Sequence, residues 1–308
     1  MNKVNGIKFL FFSRGFSKWA RRLISIQRRF SFFPFKQMNI IRQYADCLRV
    51  HEVQGTFFIP AVLLDRYVTH LRTISPEIIE WGIHGFVHTD HSKLQYEQQK
   101  TQITKAVGIF ERHGFSFKGF RCPYLRFNEH TKRILMETGC FQFDSSDSII
   151  WEEVYGDGHK HSQWIRDFYQ PQPYRKNLAR PYRIEQLIEI PVSLPDDDIM
   201  IDREQMKAAE ILHVWSTMLS ICHRSREVMV LQLHPERFLE LKEVLMQLIK
   251  EAKSLKPAIW ITTLGEVSGW QKNNPPGTWP EPYQSAFCIT GDIDAITIQD
   301  FFTRLVEW

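Results

Sequence analysis

The sequence is short of the features that mark several common protein classes. No apolar run reaches the roughly 18 residues that a membrane-spanning helix needs, and repeats and low-complexity segments are absent. Cysteines are few, odd in number and scattered, at Cys47, Cys122, Cys140, Cys222 and Cys288. Their spacing predicts neither a zinc ribbon nor a CxxC redox motif. Free thiols are typical of a reducing compartment, so we expect a cytoplasmic protein.

Acidic residues are missing from the first thirty positions. Residues 1–30 hold eight of the 39 Lys and Arg side chains and no Asp or Glu, although the whole chain has 35 acidic residues. The net charge of +4 therefore belongs to the N-terminus, and the rest of the chain is mildly acidic. A nucleic-acid-binding domain carries its basic stripe on the fold itself, so we expect no nucleic-acid partner.

Residues 1–22 form a basic amphipathic segment. An aromatic stripe recurs at helical spacing between the cations, at Phe9, Phe12, Phe16 and Trp19. Such a segment can contact an anionic membrane surface peripherally or act as a transit peptide. An element docked on the outside of the fold is equally compatible, because Gly15 interrupts the helical pattern.

The body of the chain alternates β-rich runs with helix-period stretches, which is typical of a parallel α/β fold. Strands are expected at 23–30, 55–60, 78–85, 115–121, 141–146, 187–192, 228–234 and 258–263, and helices at 36–50, 96–113, 129–137, 204–223 and 237–253. The stretch 151–183 breaks this rhythm and is predicted to be an insertion or lid. A linker over 271–282 contains Pro275 and Pro276 and precedes a C-terminal β-α unit over 283–308.

Polar residues follow several predicted strands at their carboxyl ends, where parallel α/β folds collect catalytic residues. They are His84 and His88, then Arg121, Pro123 and Tyr124, then Asp144, and finally His234. His84 and His88 are four residues apart and can turn two imidazoles towards one divalent ion. Because twelve histidines make chance pairs common, the strand-end position carries this prediction more than the spacing does.

In their order along the chain, these motifs resemble those of the polysaccharide deacetylase (NodB-homology) family. Gly55–Pro60 is similar to the family's ATFF strand, and His84–His88 is similar to its HxxxH metal motif. Phe120–Tyr124 resembles the FRPPYG groove motif, and Val228–Pro235 resembles the late strand that ends in LxLH. The resemblance covers residues 23–270 and implies an α/β fold, a distorted (β/α)7-type barrel, to which the C-terminal β-α unit would be an appendage.

The resemblance implies metal-dependent hydrolysis of an N-acyl group, mostly N-acetyl, on an amino sugar or polysaccharide. A divalent metal, usually zinc, would be held by His84, His88 and one aspartate. A second aspartate would be the general base for the attacking water, and His234 would protonate the leaving amine. These roles agree with the way a metal lowers the pKa of water and a histidine donates a proton near neutrality.

The resemblance also implies how the substrate is held. Arg121 would orient the catalytic side chains, and Tyr124 would give its backbone N–H to the oxyanion. Pro123 and Asp144 are the further side chains that we expect to contact the substrate, since both follow predicted strands of the groove.

The family's first motif, an Asp-Asp pair after the first strand, is missing from its expected place. Arg28 and Arg29 stand there instead, and arginine cannot ligate zinc. An apolar run near the far end of the chain leads into Asp292 and Asp294. If the tail folds back beside the first strand, these two carboxylates face the same side, because alternate residues of a strand do so. We predict Asp294 as the metal ligand and Asp292 as the general base.

Two alternatives stay open. The two acids can instead form an exposed turn that caps the last helix. In that case the chain is an inactive relative that binds carbohydrate or scaffolds glycan biosynthesis, with Arg28 or Arg29 filling the metal corner. A further acidic loop, Asp196–Asp198, follows another predicted strand and is expected to be solvated.

Overall fold

Helices and strands alternate through the part of the chain that the computed structural model describes, residues 29–156, 158–174 and 179–303. Segment 1–22 lies outside it, as does nearly all of the strand predicted at 23–30. Nine α-helices occur within those ranges: α1 Phe35–Val50, α2 Ala61–Leu71, α3 Tyr96–His113, α4 Glu129–Thr138, α5 Ser162–Tyr169, α6 Ala208–Ser225, α7 Phe238–Ser254, α8 Leu264–Asn273 and α9 Ile298–Thr303. None of these helices is both long enough and apolar enough to span a membrane.

Twelve strands occur in the same ranges. They are β1 Gly55–Ile59, β2 Ile79–Ile83, β3 Gly119–Phe120, β4 Phe143–Asp144, β5 Ser148–Ile150, β6 Gln172–Pro173, β7 Tyr182–Ile184, β8 Leu187–Glu189, β9 Val192–Leu194, β10 Val228–Gln232, β11 Ala258–Ile261 and β12 Tyr283–Asp292. The insertion expected at 151–183 contains α5, β6 and most of β7, and its Trp151 stacks on Tyr174 with ring centroids 4.3 Å apart.

The main sheet is curled into a half-barrel of mostly parallel strands. Its order is β10-β12-β1-β2-β3-β4-β8-β7, with β11 also paired to β12. Only the β7–β8 pair is antiparallel, and β6, β5 and β9 form a second, small parallel sheet. The deacetylase-type α/β barrel expected from the sequence is confirmed.

The last strand of the chain lies inside the main sheet. One edge of β12 pairs with β10, and its other edge pairs first with β11 and then with β1, always in parallel. Its residues are buried from Ser285 to Asp292, as expected for a strand covered on both faces. The strand of the C-terminal unit, β12, is therefore an internal part of the barrel and not an appendage. The proline-containing linker predicts that the residues after it form a separate unit, but the order of strands along the chain does not determine which strands pair.

The end of β12 packs very closely on its neighbours. A Cβ on Gly291 would lie 2.9 Å from the carbonyl oxygen of Leu233 and 3.2 Å from the Phe57 ring. Only glycine allows this approach without displacement, since side-chain carbons do not pack that close to a backbone oxygen. The residue after it, Asp292, is thereby held level with Phe58 of β1.

The outer face of the sheet is covered by amphipathic helices. Tyr44 of α1 stacks on Phe238 at the start of α7, with centroids 4.5 Å apart, and it also contacts Phe57 of β1. All three side chains are fully buried. Burial of a large side chain of this kind stabilises the fold by roughly 1.5–3 kcal/mol, so this packing fixes the strand ends that carry the site.

Candidate active site

The polar residues that follow the strands meet at one edge of the sheet. Backbone ladders run one residue past the strands: the amide of His84 donates to Ile59 and that of Arg121 donates to Ile83, both at 3.0 Å. Asp292 is the last residue of β12, which pairs with β1. Because all these strands run in the same direction, the three side chains emerge side by side.

The loop that carries the two histidines is fixed by the start of α2. The first two amides of α2 donate to the carbonyls of Gly85 and Phe86, each at 3.0 Å, which satisfies helix N–H groups that have no partner within the helix. Gly85 has a φ of +77°, a conformation that favours glycine. The resulting turn brings the rings of His84 and His88 to 5.1 Å between centroids.

Two carboxylates join this histidine pair, and we call the four side chains of His84, His88, Asp292 and Asp294 the metal corner. Asp294 Oδ1 lies 3.1 Å from His88 Nε2 and 3.6 Å from His84 Nε2. Asp292 Oδ2 lies 3.8 Å from His84 Nε2. The ligand atoms of both histidines and Asp294 all lie within 4.8 Å of one another. The two histidines are almost fully buried, and Asp294 is partly exposed.

The donor set of the metal corner fits a divalent cation. His84 Nδ1 lies 2.8 Å from the Arg121 carbonyl oxygen, so Nδ1 carries the proton and Nε2 presents its lone pair to the two carboxylates. Such an arrangement of electron-rich atoms is unfavourable without a positive charge among them. Two imidazole nitrogens, one carboxylate and a carbonyl partner behind an imidazole are the usual surroundings of catalytic zinc.

Both carboxylate oxygens of Asp292 accept hydrogen bonds. Arg121 Nη1 donates to Asp292 Oδ1 at 2.9 Å, and Gln232 Nε2 donates to Asp292 Oδ2 at 2.8 Å. The same guanidinium donates to the Thr290 hydroxyl and, through Nε, to the Ser145 carbonyl. Arg121 is fully buried, and a buried guanidinium that donates to a carboxylate fixes the orientation of that carboxylate.

A second histidine cluster lies at the same edge of the sheet, and we call Asp197, Asp198 and His234 the acid corner. His234 Nδ1 lies 2.7 Å from Asp197 Oδ1, and the His234 amide donates to Asp197 Oδ2 at 2.9 Å. Burial alone would lower the pKa of His234, but the carboxylates of Asp197 and Asp198 outweigh it and raise this pKa well above its usual value. His234 is thus held as an imidazolium.

Arginines balance the charge of the acid corner. Arg29 Nη1 lies 3.7 Å from Asp198 and 3.9 Å from Glu236, and Arg237 Nε lies 3.5 Å from Asp198. Arg29 is therefore paired with acids of this corner and not with the residues of the metal corner. Arg28 lies outside the described residues.

The turn after β3 has a strained backbone. Tyr124 and Leu125 have φ values of +62° and +53°, which cost of order 1–3 kcal/mol each for residues with a side chain. The Tyr124 ring meets the His88 ring edge-on, with centroids 4.3 Å apart. Pro123 is buried beneath the turn, close to Gly85. Both residues expected in the groove therefore border the metal corner.

Asp144 is not brought into the site. It is fully buried, accepts a hydrogen bond from Ser146 Oγ at 2.5 Å and lies 3.3 Å from Lys132 Nζ, which also pairs with Glu189. The expectation that Asp144 contacts substrate stays a prediction, and the burial and ion pairing of this carboxylate do not favour it. Its strand-end position is right, but its carboxylate is turned into an internal ion cluster.

The acidic loop after β9 is more buried than the sequence predicts. Asp196 and Asp197 are 2% and 0% exposed, although the loop is predicted to be solvated. Asp196 caps the following turn by accepting from the Ile199 amide at 2.8 Å, and Asp197 holds His234. The sequence feature that indicates a role for this loop is the position of three acids directly after a strand, at the edge of the sheet that also carries His234.

One family model matches the chain, and it describes a polysaccharide deacetylase over residues 36–142. The matched part includes His84, His88, Arg121 and Tyr124 and stops well before β10 and β12. No curated protein sequence matches the chain.

Solved structures share the fold. A Mycobacterium smegmatis protein assigned as a polysaccharide deacetylase is 21% identical, with a TM-score of 0.61 over 87% of this chain and 88% of that one. A Pseudomonas aeruginosa PAO1 protein with the same assignment is 17% identical, with a TM-score of 0.59 over 77% and 73% of the two chains. Puue allantoinase gives the same figures as the second. At these identities the likeness shows the fold alone.

Proposed function

We propose that this chain, a member of the polysaccharide deacetylase family, hydrolyses an N-acyl group, mostly N-acetyl, on an amino sugar or polysaccharide with the help of a divalent metal. Zinc is the metal that the donor set favours. The observation that carries the proposal is the metal corner, in which the carboxylates at the end of β12 and two residues after it lie close to the histidines of the β2–α3 loop.

His84, His88 and Asp294 would hold the metal, because Asp294 approaches both imidazoles more closely than Asp292 does. When bound, the metal lowers the pKa of water and stabilises the oxyanion. Asp292 would take the proton of the attacking water. Its pairing with Arg121 and Gln232 supports this role, since a carboxylate held in one orientation can accept a proton from one defined direction.

His234 would give a proton to the leaving amine. The raised pKa of this imidazole supports the role, because an imidazolium at neutral pH has a proton to donate. Asp197 would position the ring through Nδ1, and Nε2, which lies 3.4 Å from Gln232 Nε2, would face the substrate. Tyr124 would offer its backbone N–H to the oxyanion, and Pro123 would support that turn.

The alternative of an inactive carbohydrate-binding relative requires an arginine in the metal corner. The pairing of Arg29 with Asp198 and Glu236 speaks against it. We also propose that the protein acts in the cytoplasm, in agreement with the five free cysteines of the described residues.

The test is amine release from N-acetylglucosamine oligomers by purified protein loaded with zinc. We expect turnover by the wild type and turnover reduced by roughly a hundred- to ten-thousandfold in Asp292→Asn at matched zinc content. Measured metal binding without amine release from any N-acylated sugar would favour the inactive alternative.

A further inference from the structure

Phenylalanines are exposed on the segment that leads into α1. The side chains of Phe32, Phe33 and Phe35 are 76%, 70% and 68% exposed, and Phe302 of α9 is 43% exposed. We call these four side chains the aromatic patch. Exposed apolar side chains grouped in this way mark interaction sites, because single ones are common but clusters are not.

The aromatic patch is fixed to the fold. Phe30 is buried against Phe301 of α9, with ring centroids 5.5 Å apart. Ser31 forms a backbone bridge with Thr297, and its carbonyl accepts from the Ile298 amide at 2.9 Å. The segment therefore lies beside the start of α9, the helix that carries Phe302.

The segment that carries the aromatic patch continues into the candidate active site. Arg29, three residues before Phe32, reaches Asp198 of the acid corner. Thr297, which bridges to Ser31, follows Asp294 of the metal corner by three residues. The segment that carries the exposed phenylalanines is thus connected to both corners of the site.

The chain that precedes the aromatic patch is strongly basic. Residues 1–28 contain seven Lys and Arg side chains and no acid. Aromatic side chains next to a run of cations are the composition that binds anionic bilayers, where the rings enter the headgroup region and the cations meet acidic headgroups. A second copy of the chain fits this surface poorly, because its basic N-terminus would be brought against this one.

We propose that the aromatic patch docks on an anionic lipid surface, to which the cations in the sequence of residues 1–28 add electrostatic attraction. The proposal rests on exposure and charge and is independent of whether the site hydrolyses an N-acyl sugar.

The experiment is cosedimentation of the full chain with vesicles of phosphatidylcholine, with and without phosphatidylglycerol. We expect binding only to vesicles that contain phosphatidylglycerol, and weaker binding as salt is raised. A triple variant, Phe32→Ser, Phe33→Ser and Phe35→Ser, should bind at least about tenfold more weakly, since each ring contributes apolar area to the bilayer.

A matched control is Val50→Ser with Leu239→Ser, which removes two side chains that are 69% and 52% exposed outside the aromatic patch. This variant should bind vesicles like the wild type. Replacing the cations of residues 1–22 with Gln should weaken binding without changing the melting temperature.

Three results would overturn the proposal. They are no vesicle binding by the wild type, equal binding by the triple variant, and equal binding to both kinds of vesicle. If the triple variant instead loses a dimer in sedimentation analysis, a second copy covers the patch. If it melts at a lower temperature and no vesicle binding occurs, the chain covers its own phenylalanines.

Discussion

The metal corner and the acid corner are built from the same residue types, yet they favour different cations. In the metal corner, the proton of His84 is directed to a backbone carbonyl, so Nε2 faces two carboxylates with its lone pair. In the acid corner, Nδ1 of His234 is directed to Asp197, which also binds the His234 amide. The first arrangement suits a metal ion, and the second suits a proton.

The acids of the two corners also differ in what surrounds them. Asp294 is partly exposed, whereas Asp197 is fully buried and both of its oxygens are engaged by His234. The side chains of His84, His88 and Asp294 can therefore admit a ligand between them, while the Asp197–His234 pair is already complete. A grouping of histidine and acids does not define a metal site until the direction of each ring nitrogen is known.

Removal of both metal-corner histidines should have the largest effect. A His84→Ala, His88→Ala double variant should retain almost no zinc, because two of the three proposed ligands are gone. His234→Ala should retain wild-type zinc. Metal content of the purified proteins, measured by mass spectrometry, checks both statements. Equal zinc in the double variant and the wild type would show that the metal corner binds no metal.

The next test separates the two aspartates of the metal corner. Asp294→Asn should lose zinc, whereas Asp292→Asn should keep it and lose amine release by roughly a hundred- to ten-thousandfold, the usual contribution of a general base. Zinc content and turnover are measured on the same preparations. If Asp292→Asn loses the zinc and Asp294→Asn retains it, the two roles are reversed.

The metal corner was largely predictable from the sequence, and its acids were found for a physical reason. The apolar run before Asp292 predicts a buried strand, and alternate residues of a strand share a face. The neighbours of that strand could not be predicted from the sequence. In the sheet β12 lies between β10 and β1, although it is the last strand in the described part of the chain. Hydrophobic pattern reports burial, and it does not report which strands pair.

The acid corner was less predictable. His234 has a motif around it, but its partner Asp197 stands in a run of three acids, which usually indicates solvent exposure. Burial of Asp197 depends on the imidazolium, and the charge balance depends on Arg29 and Arg237. Such compensation joins residues that are far apart in sequence, so local composition cannot report it. The burial of Asp144 is equally hard to predict from local composition, because it depends on an ion pair with Lys132.

A smaller effect is expected from Asp197→Asn. Loss of the carboxylate should lower the pKa of His234 towards its ordinary value, about 6.5, and move the alkaline limb of the pH–rate profile to lower pH. In the wild type this pKa is raised on folding, so the stability that the pair contributes is full below about pH 6.5 and is lost as the pH rises through the folded value.

The melting temperatures of wild type and Asp197→Asn should accordingly differ most at mildly acidic pH and converge in alkaline buffer. An NMR titration of the His234 ring measures the pKa directly. An unchanged titration midpoint in the variant would mean that Asp197 does not control the proton, and His234 would lose its advantage as the general acid.

The smallest effect is expected at Arg29, which only the inactive alternative places in the metal corner. Arg29 lies 3.7–3.9 Å from Asp198, Asp202 and Glu236, and the first two acids are 36% and 40% exposed. Ion pairs of this length beside solvent are worth up to about 1 kcal/mol, so Arg29→Gln should change turnover less than about tenfold, and Arg29→Lys should restore it. Arg121→Gln is the comparison, because it leaves Asp292 buried beside the metal corner without its cation, at a cost of roughly 3–5 kcal/mol. Thermal unfolding and turnover of both variants show which arginine contributes more to stability and activity. If Arg29→Gln lowers turnover and the melting temperature as much as Arg121→Gln does, the acid corner depends on Arg29 as strictly as the metal corner depends on Arg121. The two corners would then not differ in their response to the loss of an arginine.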